Sequence, residues 1–246
     1  MQTKKPWRLG TRAQLLLRGL RYARILPYVS IDGWLSIDEA IGLYELARSL
    51  PGERPVAVEI GCWQGKSSVC LARGLAARPG ARLHCIDPFD ASGDAESTAE
   101  YHDRAKGLAN PLRAAFEQNL RDAGVHGVVE VRQGMSHEHA AAWQQPIDLL
   151  FLDGDHGYDA VRRDVLDWAP KIRPGGWLCM HDVVHPVHTG PRRVVDEILA
   201  PDPTWVESRY TDSMFVARKA VTAPPAAGPA RTAVQPSREP AQAQPV

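Results

Sequence analysis

The spacing of apolar residues changes character near residue 55. Before it, apolar positions recur at helical intervals. In residues 11–26 (TRAQLLLRGLRYARIL), Leu16, Leu20, Ala23 and Leu26 share a face and Arg12, Arg18, Arg21 and Arg24 lie mostly elsewhere. That spacing predicts a basic amphipathic helix, weakened at Gly19, which either lies on a membrane surface or, in the favoured reading, covers an active site or an oligomer interface. A second helix is predicted over Ile37–Ser49, where Ser36 is placed as N-cap and Glu39 completes a capping box. From Pro55 onward, short apolar runs alternate with helical stretches. The runs predict strands at Val56–Ile60, Arg82–Asp87, Val128–Arg132, Ile147–Asp153 and Trp177–His181. Helices are predicted between them, near Ser67–Ala77, Leu112–Ala123, His137–Trp143 and Asp159–Trp168. This alternation implies an α/β fold, a Rossmann-like parallel sheet with helices on both faces. A helix over Arg192–Leu199 then leads to Trp205–Arg209 and Ser213–Arg218, close enough to form a terminal antiparallel hairpin.

Three regions follow: a helical cap over 1–50, an α/β domain over 51–221, and a tail over 222–246. Within the domain, residues 88–110 contain no clear strand and are rich in small and polar residues, which marks a lid insertion. The tail holds six of the 20 prolines and is expected to be disordered. Lys plus Arg and Asp plus Glu both total 29, and this zero net charge argues against a nucleic-acid partner. No apolar run is long enough for a membrane helix. Cys62, Cys70, Cys85 and Cys179 form no CxxC pair and sit in apolar runs, so they are read as reduced packing residues of a cytoplasmic protein.

The first strand of the domain runs into Glu59-Ile60-Gly61-Cys62-Trp63-Gln64-Gly65-Lys66-Ser67-Ser68. A Gly-rich turn between strand and helix is a place for close ligand approach. A P-loop needs four residues between its glycines, and only three separate Gly61 from Gly65. A dinucleotide loop needs GxGxxG, and position 63 is Trp. What remains, acid-x-Gly-x-x-x-Gly, resembles the first motif of class I S-adenosylmethionine (SAM)-dependent methyltransferases. That resemblance implies SAM as cofactor, with Gly61, Gly65 and Ser67 in its loop and Glu59 paired to the ammonium group of its methionine end. Asp87, at the tip of the neighbouring strand, is placed to accept the ribose hydroxyls. After the third strand, the resemblance makes Ser136 an adenine contact; its alternative reading is a helix N-cap.

Asp153 and Asp182 fall at the carboxyl ends of the next two strands, where two neighbouring carboxylates suggest a divalent cation. The segment LFLDGDHGYDAVRRDVLDWAPKIRPGGWLCMHDV resembles the bacterial methyltransferase family that includes sugar O-methyltransferases of macrolide biosynthesis and a cephalosporin-pathway relative. The resemblance covers roughly residues 32–218. It implies that Asp153 binds Mg²⁺, that His156 acts as general base, and that the pair at 181–182 completes the metal site. Here that pair is His181-Asp182 rather than two acids. Imidazole is a poor Mg²⁺ ligand, so either His181 does not ligate or the site takes Mn²⁺ or another transition metal.

The expected activity is O-methylation of a hydroxyl on a small-molecule or oligosaccharide acceptor, assisted by Asp153, Asp182 and His156. A catechol-like acceptor is the near variant, and an inactive SAM-fold accessory protein is the distant one. A zinc hydrolase is disfavoured, since no HExxH is present and Pro186 breaks the segment carrying His181, His185 and His188. A nucleic-acid methyltransferase is disfavoured by charge and by the lack of an Asn/Asp-Pro-Pro-aromatic motif. The N-terminal helices are the expected surface for a homo-oligomer, and the Arg-rich, Asn-poor composition fits a GC-rich bacterial genome.

Overall fold

The computed structural model describes residues 7–221, with side chains from residue 10 onward. The tail expected to be disordered, 222–246, lies outside the described residues. Strands β1 (Val56–Ile60), β2 (Arg82–Asp87), β3 (Val129–Gln133), β4 (Ile147–Leu152), β5 (Ile172–Met180), β6 (Trp205–Thr211) and β7 (Met214–Lys219) form one sheet in the order β3-β2-β1-β4-β5-β7-β6. The pairs β1–β2, β1–β4, β2–β3 and β4–β5 are parallel; β5–β7 and β6–β7 are antiparallel. The α/β reading and the terminal hairpin therefore hold. β5 starts five residues earlier than the apolar run predicts, because Arg173-Pro174-Gly175-Gly176 stays extended and carries a register shift against β4.

The central strands are apolar on both sides, as buried parallel strands must be. Side chains alternate between two cores. Ala57, Leu83, Cys85, Leu149, Phe151 and Cys179 pack on one face, with α2 (Ile37–Ser49), α3 (Lys66–Leu75) and α5 (Leu112–Asp122). Val58, Ile86, Leu150, Leu178 and Phe215 pack on the other, with α6 (Ser136–Ala142), α7 (Tyr158–Trp168) and α8 (Gly190–Val194), which runs on as a wider turn to Leu199. Each fully buried Leu or Phe contributes roughly 1.5–3 kcal/mol of transfer free energy. All four cysteines are buried and free.

The N-terminal segment departs from the expected single helix over 11–26. Helix α1 (Trp7–Leu17) stops at Gly19, whose φ of 145° no helix accepts, and the chain winds on as a 3₁₀ segment over Leu20–Ser30. The break rotates the buried face. Leu15, Tyr22, Ile25, Tyr28 and Val29 go inward, while Leu20 is 81% exposed. The capping box on α2 is present: Glu39 N–H donates to Ser36 Oγ (3.1 Å) and Ser36 N–H to Glu39 Oε2 (2.9 Å). The 88–110 insertion contains α4 (Thr98–Lys106), which a periodicity reading for strands passes over. No described helix is long and apolar enough to cross a membrane.

Candidate active site

The carboxyl ends of β1, β2, β4 and β5 open into one cleft of about 1030 Å³. Gly61 (φ 80°) sits where the β1 turn meets the β4 turn; a Cβ there would stand 2.1 Å from the Asp153 carbonyl oxygen. The glycine is thus required by packing, and it brings the first loop against Asp153. Asp153 N–H also donates to Ile60 O at 2.8 Å. Gly65 (φ 89°) allows the chain to turn into α3, and a Cβ there would press on the Phe116 ring at 3.1 Å.

Asp87 lies at the cleft with its carboxylate already ordered. Oδ2 accepts from Cys62 N–H (2.7 Å) and Trp63 N–H (3.1 Å), and Oδ1 from Phe89 N–H (2.6 Å). Burial raises its pKa, against those three donors. Ser67 and Ser136 line the cleft, but their hydroxyls are engaged by the scaffold. Ser67 Oγ donates to Glu59 (2.5 Å). Ser136 Oγ donates to Asp164 (2.6 Å) and accepts from Trp168 Nε1 (2.8 Å). Ser136 is the first residue of α6 rather than its cap.

Glu59 does not reach the cleft, contrary to the expected pairing with an ammonium group. Its side chain is fully buried beneath the loop, bonded by Ser67, Ser68 (2.5 Å) and Cys85. Burial pushes its pKa up to about 7, opposed by the two serine hydroxyls. The strand alternation that makes Glu59 an acid at a strand end also turns it into the core face.

At the β4 and β5 tips, acids and imidazoles alternate. His181 Nδ1 lies 3.1 Å from Asp153 Oδ1 and 3.4 Å from Asp182 Oδ2; its Nε2 lies 3.3 Å from Glu39 Oε2. Burial disfavours a charge on His181, yet Asp153, Asp182 and Glu39 hold its pKa well above the usual value. His156 Nδ1 donates to Asp94 Oδ2 at 2.6 Å. His156 Nε2 lies 3.3 Å from Asp182 Oδ2 but out of line, with no hydrogen-bond partner among the described residues. Burial pulls the His156 pKa down, but Asp182, Asp153 and Asp94 outweigh it and push it up to about 9. Asp182 itself holds φ at 52°, unusual for a residue with a side chain.

His188 stacks on His156 with ring centres 4.0 Å apart, and His185 on His188 at 4.3 Å. His185 Nδ1 accepts from the backbone N–H of Val187 and His188, which leaves its proton on Nε2. Both His185 and His188 line the cleft. At the mouth, Tyr101 stands between Trp34 and Trp63, each ring centre 5.4 Å away. Arg104 lies 4.5 Å over Trp34 and pairs with Asp32 at 2.9 Å, tying the insertion to the N-terminal region.

The predicted residues Asp87, Asp153, His156, His181 and Asp182 thus share one cleft with the glycine turn. Two further carboxylates escape the sequence reading. Asp94 comes from the insertion, 62 positions from His156, and Glu39 from α2, 142 positions from His181. Glu39 is visible in the sequence only as a helix-capping residue.

Residues 58–183 match a family described as methyltransferase domain, and the chain belongs to that family. Solved structures with the same fold include the O-methyltransferase of tomaymycin synthesis from Streptomyces achromogenes in complex with SAM. It is 22% identical, with 90% of this chain and 93% of that chain covered and a TM-score of 0.57. An O-methyltransferase from Bacillus cereus in complex with SAH is 18% identical, with 86% and 91% covered and a TM-score of 0.55. A TDP-rhamnose 3′-O-methyltransferase of calicheamicin biosynthesis is 16% identical, with 89% and 96% covered and a TM-score of 0.53.

Proposed function

We propose that this methyltransferase moves a methyl group from SAM to a hydroxyl of a carbohydrate or glycosylated acceptor, with cation assistance. The observation that carries the reading is the single cleft in which Asp87 and the glycine turn face Asp153, His156, His181 and Asp182. Two of the named structural relatives carry SAM or SAH, and one acts on a deoxysugar nucleotide.

The residues fit the donor. The cleft is of cofactor size, and Asp87 is buried at the β2 tip with its backbone donors fixed, so ribose hydroxyls meet an ordered acceptor. Glu59 has a positioning role: it holds Ser67 and Ser68 at the start of α3 and so sets the loop above it. SAM supplies a methyl group already activated on a sulfonium. The residues also fit a divalent cation. Asp153 Oδ1, His181 Nδ1 and Asp182 Oδ2 lie within 4.8 Å of one another. A cation held there would make an acceptor hydroxyl more acidic.

His156 is the proposed base. Asp94 accepts a hydrogen bond from Nδ1–H and fixes the ring, and Nε2, without a hydrogen-bond partner among the described residues, receives the hydroxyl proton. A positively charged donor nearby lowers the pKa of that imidazole, which favours the neutral form the transfer needs. Holding the hydroxyl in line with the methyl group can supply on the order of 7–11 kcal/mol at best. Trp34, Tyr101 and Trp63 offer flat apolar faces for the body of the acceptor. The same trio favours a second reading, a catechol-like phenol stacked on those rings.

Transfer of tritiated methyl from SAM to a panel of oligosaccharides and catechols, with divalent ions present, tests the proposal. Label on a sugar hydroxyl supports it; label on the phenols alone moves the reading to the catechol class. A chain that binds no SAM by calorimetry sinks both.

A further inference from the structure

His181 is an odd neighbour for a magnesium ion, and its surroundings explain why it stands there. Glu39, only 3% exposed, is held from two sides. Ser36 N–H donates to its Oε2, and Ser213 donates to its Oε1 through N–H (3.0 Å) and Oγ (2.7 Å). Oε2 also faces His181 Nε2 at 3.3 Å. One nitrogen of the ring is therefore committed to a fixed, buried carboxylate. The other, Nδ1, is aimed between Asp153 Oδ1 and Asp182 Oδ2. Imidazoles that bind metals characteristically donate their second N–H to a carboxylate, which sets the tautomer and makes the free nitrogen more basic. A set of two carboxylates and one such imidazole suits Mn²⁺, Fe²⁺, Co²⁺ or Zn²⁺, whereas Mg²⁺ prefers oxygen alone.

We propose that Asp153, Asp182 and the Glu39-backed His181 form a transition-metal site, in which His181 ligates through Nδ1. This rests on the reading that a divalent cation works at the β4 and β5 tips, and it assigns that cation to a different class. Glu39 is a positioning residue in this arrangement, delivered by a helix outside the α/β domain. The competing arrangement keeps His181 doubly protonated, so that its own positive charge takes the place of an ion between the two acids.

The test uses the full chain, stripped with chelator and titrated separately with Mn²⁺ and Mg²⁺ by calorimetry, with SAM binding measured in parallel. Electron spin-echo envelope modulation of the Mn²⁺ protein then reads whether a nitrogen is bound directly. The expected result is Mn²⁺ binding at least about tenfold tighter than Mg²⁺, with one directly coupled nitrogen. His181→Asp should remove the nitrogen signal and narrow the preference. Glu39→Gln should weaken Mn²⁺ by about 10–100-fold and keep the signal. Because Glu39 also caps α2, the spectrum of the unaltered chain decides even if that variant does not fold. Bound Mn²⁺ without nitrogen coupling would overturn the proposal. So would a chain that binds SAM but neither ion, since the imidazolium then fills the ion's place. Nitrogen-coupled Mn²⁺ in a chain that fails to bind SAM would leave this site standing and remove the methyl-transfer reading instead.

Discussion

The two halves of the cleft are built differently. On the β1–β2 side, what orders the site is the backbone of two adjacent strand ends: a glycine turn, N–H groups of residues 62, 63 and 89, and the carboxylate at 87 that they surround. On the β4–β5 side, the strand tips supply Asp153, His181 and Asp182, but the groups that orient the imidazoles come from remote segments. Asp94 belongs to the insertion and Glu39 to α2. A carboxylate can be ordered by the backbone of two adjoining turns. A site that must hold proton positions needs buried partners, and burial needs several elements to close on it.

The largest expected effect lies on the β4–β5 side. His156→Ala should leave SAM affinity nearly intact and cut turnover at least about 100-fold, read by radiolabel transfer alongside calorimetry. If turnover survives, the imidazole chain is structural and the contrast between the halves disappears. Asp87→Asn should do the reverse, weakening SAM binding about 10–100-fold through loss of charge-assisted hydrogen bonds, with a smaller change in turnover of the saturated enzyme. Equal loss in both quantities would mean the two halves are not separable.

Glu59→Gln sharpens the comparison beneath the loop. Folding holds the Glu59 proton up to about 7, above its ordinary value near 4.5. The stability this provides is fully present below 4.5 and is lost as pH rises through 7. Relative to the Gln variant, the unaltered chain should therefore lose on the order of 3 kcal/mol between those limits. Denaturant melts at several pH values check this, and a flat difference would show that Glu59 is ionised throughout. The smallest effect is expected of Ser36→Ala, which removes a helix cap worth about 1 kcal/mol and loosens Glu39 at the same time. Thermal unfolding reads the first consequence.

The strands and the turn motif were legible because short apolar runs bounded by polar turns, and glycine spacing, are local properties. The placement of Asp153 and Asp182 at the cleft was legible because the carboxyl ends of buried strands in such sheets open into a crevice. Glu59 was misread for a reason of the same kind: one step along a strand separates the cleft from the core. The N-terminal helix was misread because a single glycine turned the chain, which exchanged Leu20 for Tyr22 and Ile25 in the interior. Glu39 and Asp94 were not legible as site residues at all. Each has a sufficient local explanation, as a helix cap and as a loop acid, and nothing local states that it also meets a histidine far along the chain.

Ser36, Ser213 and His181 all meet on the one carboxylate of Glu39. The position of α2, the seating of the β6–β7 hairpin and the orientation of His181 thereby depend on one side chain. Displacing either segment would free the same carboxylate and with it the buried imidazole it holds.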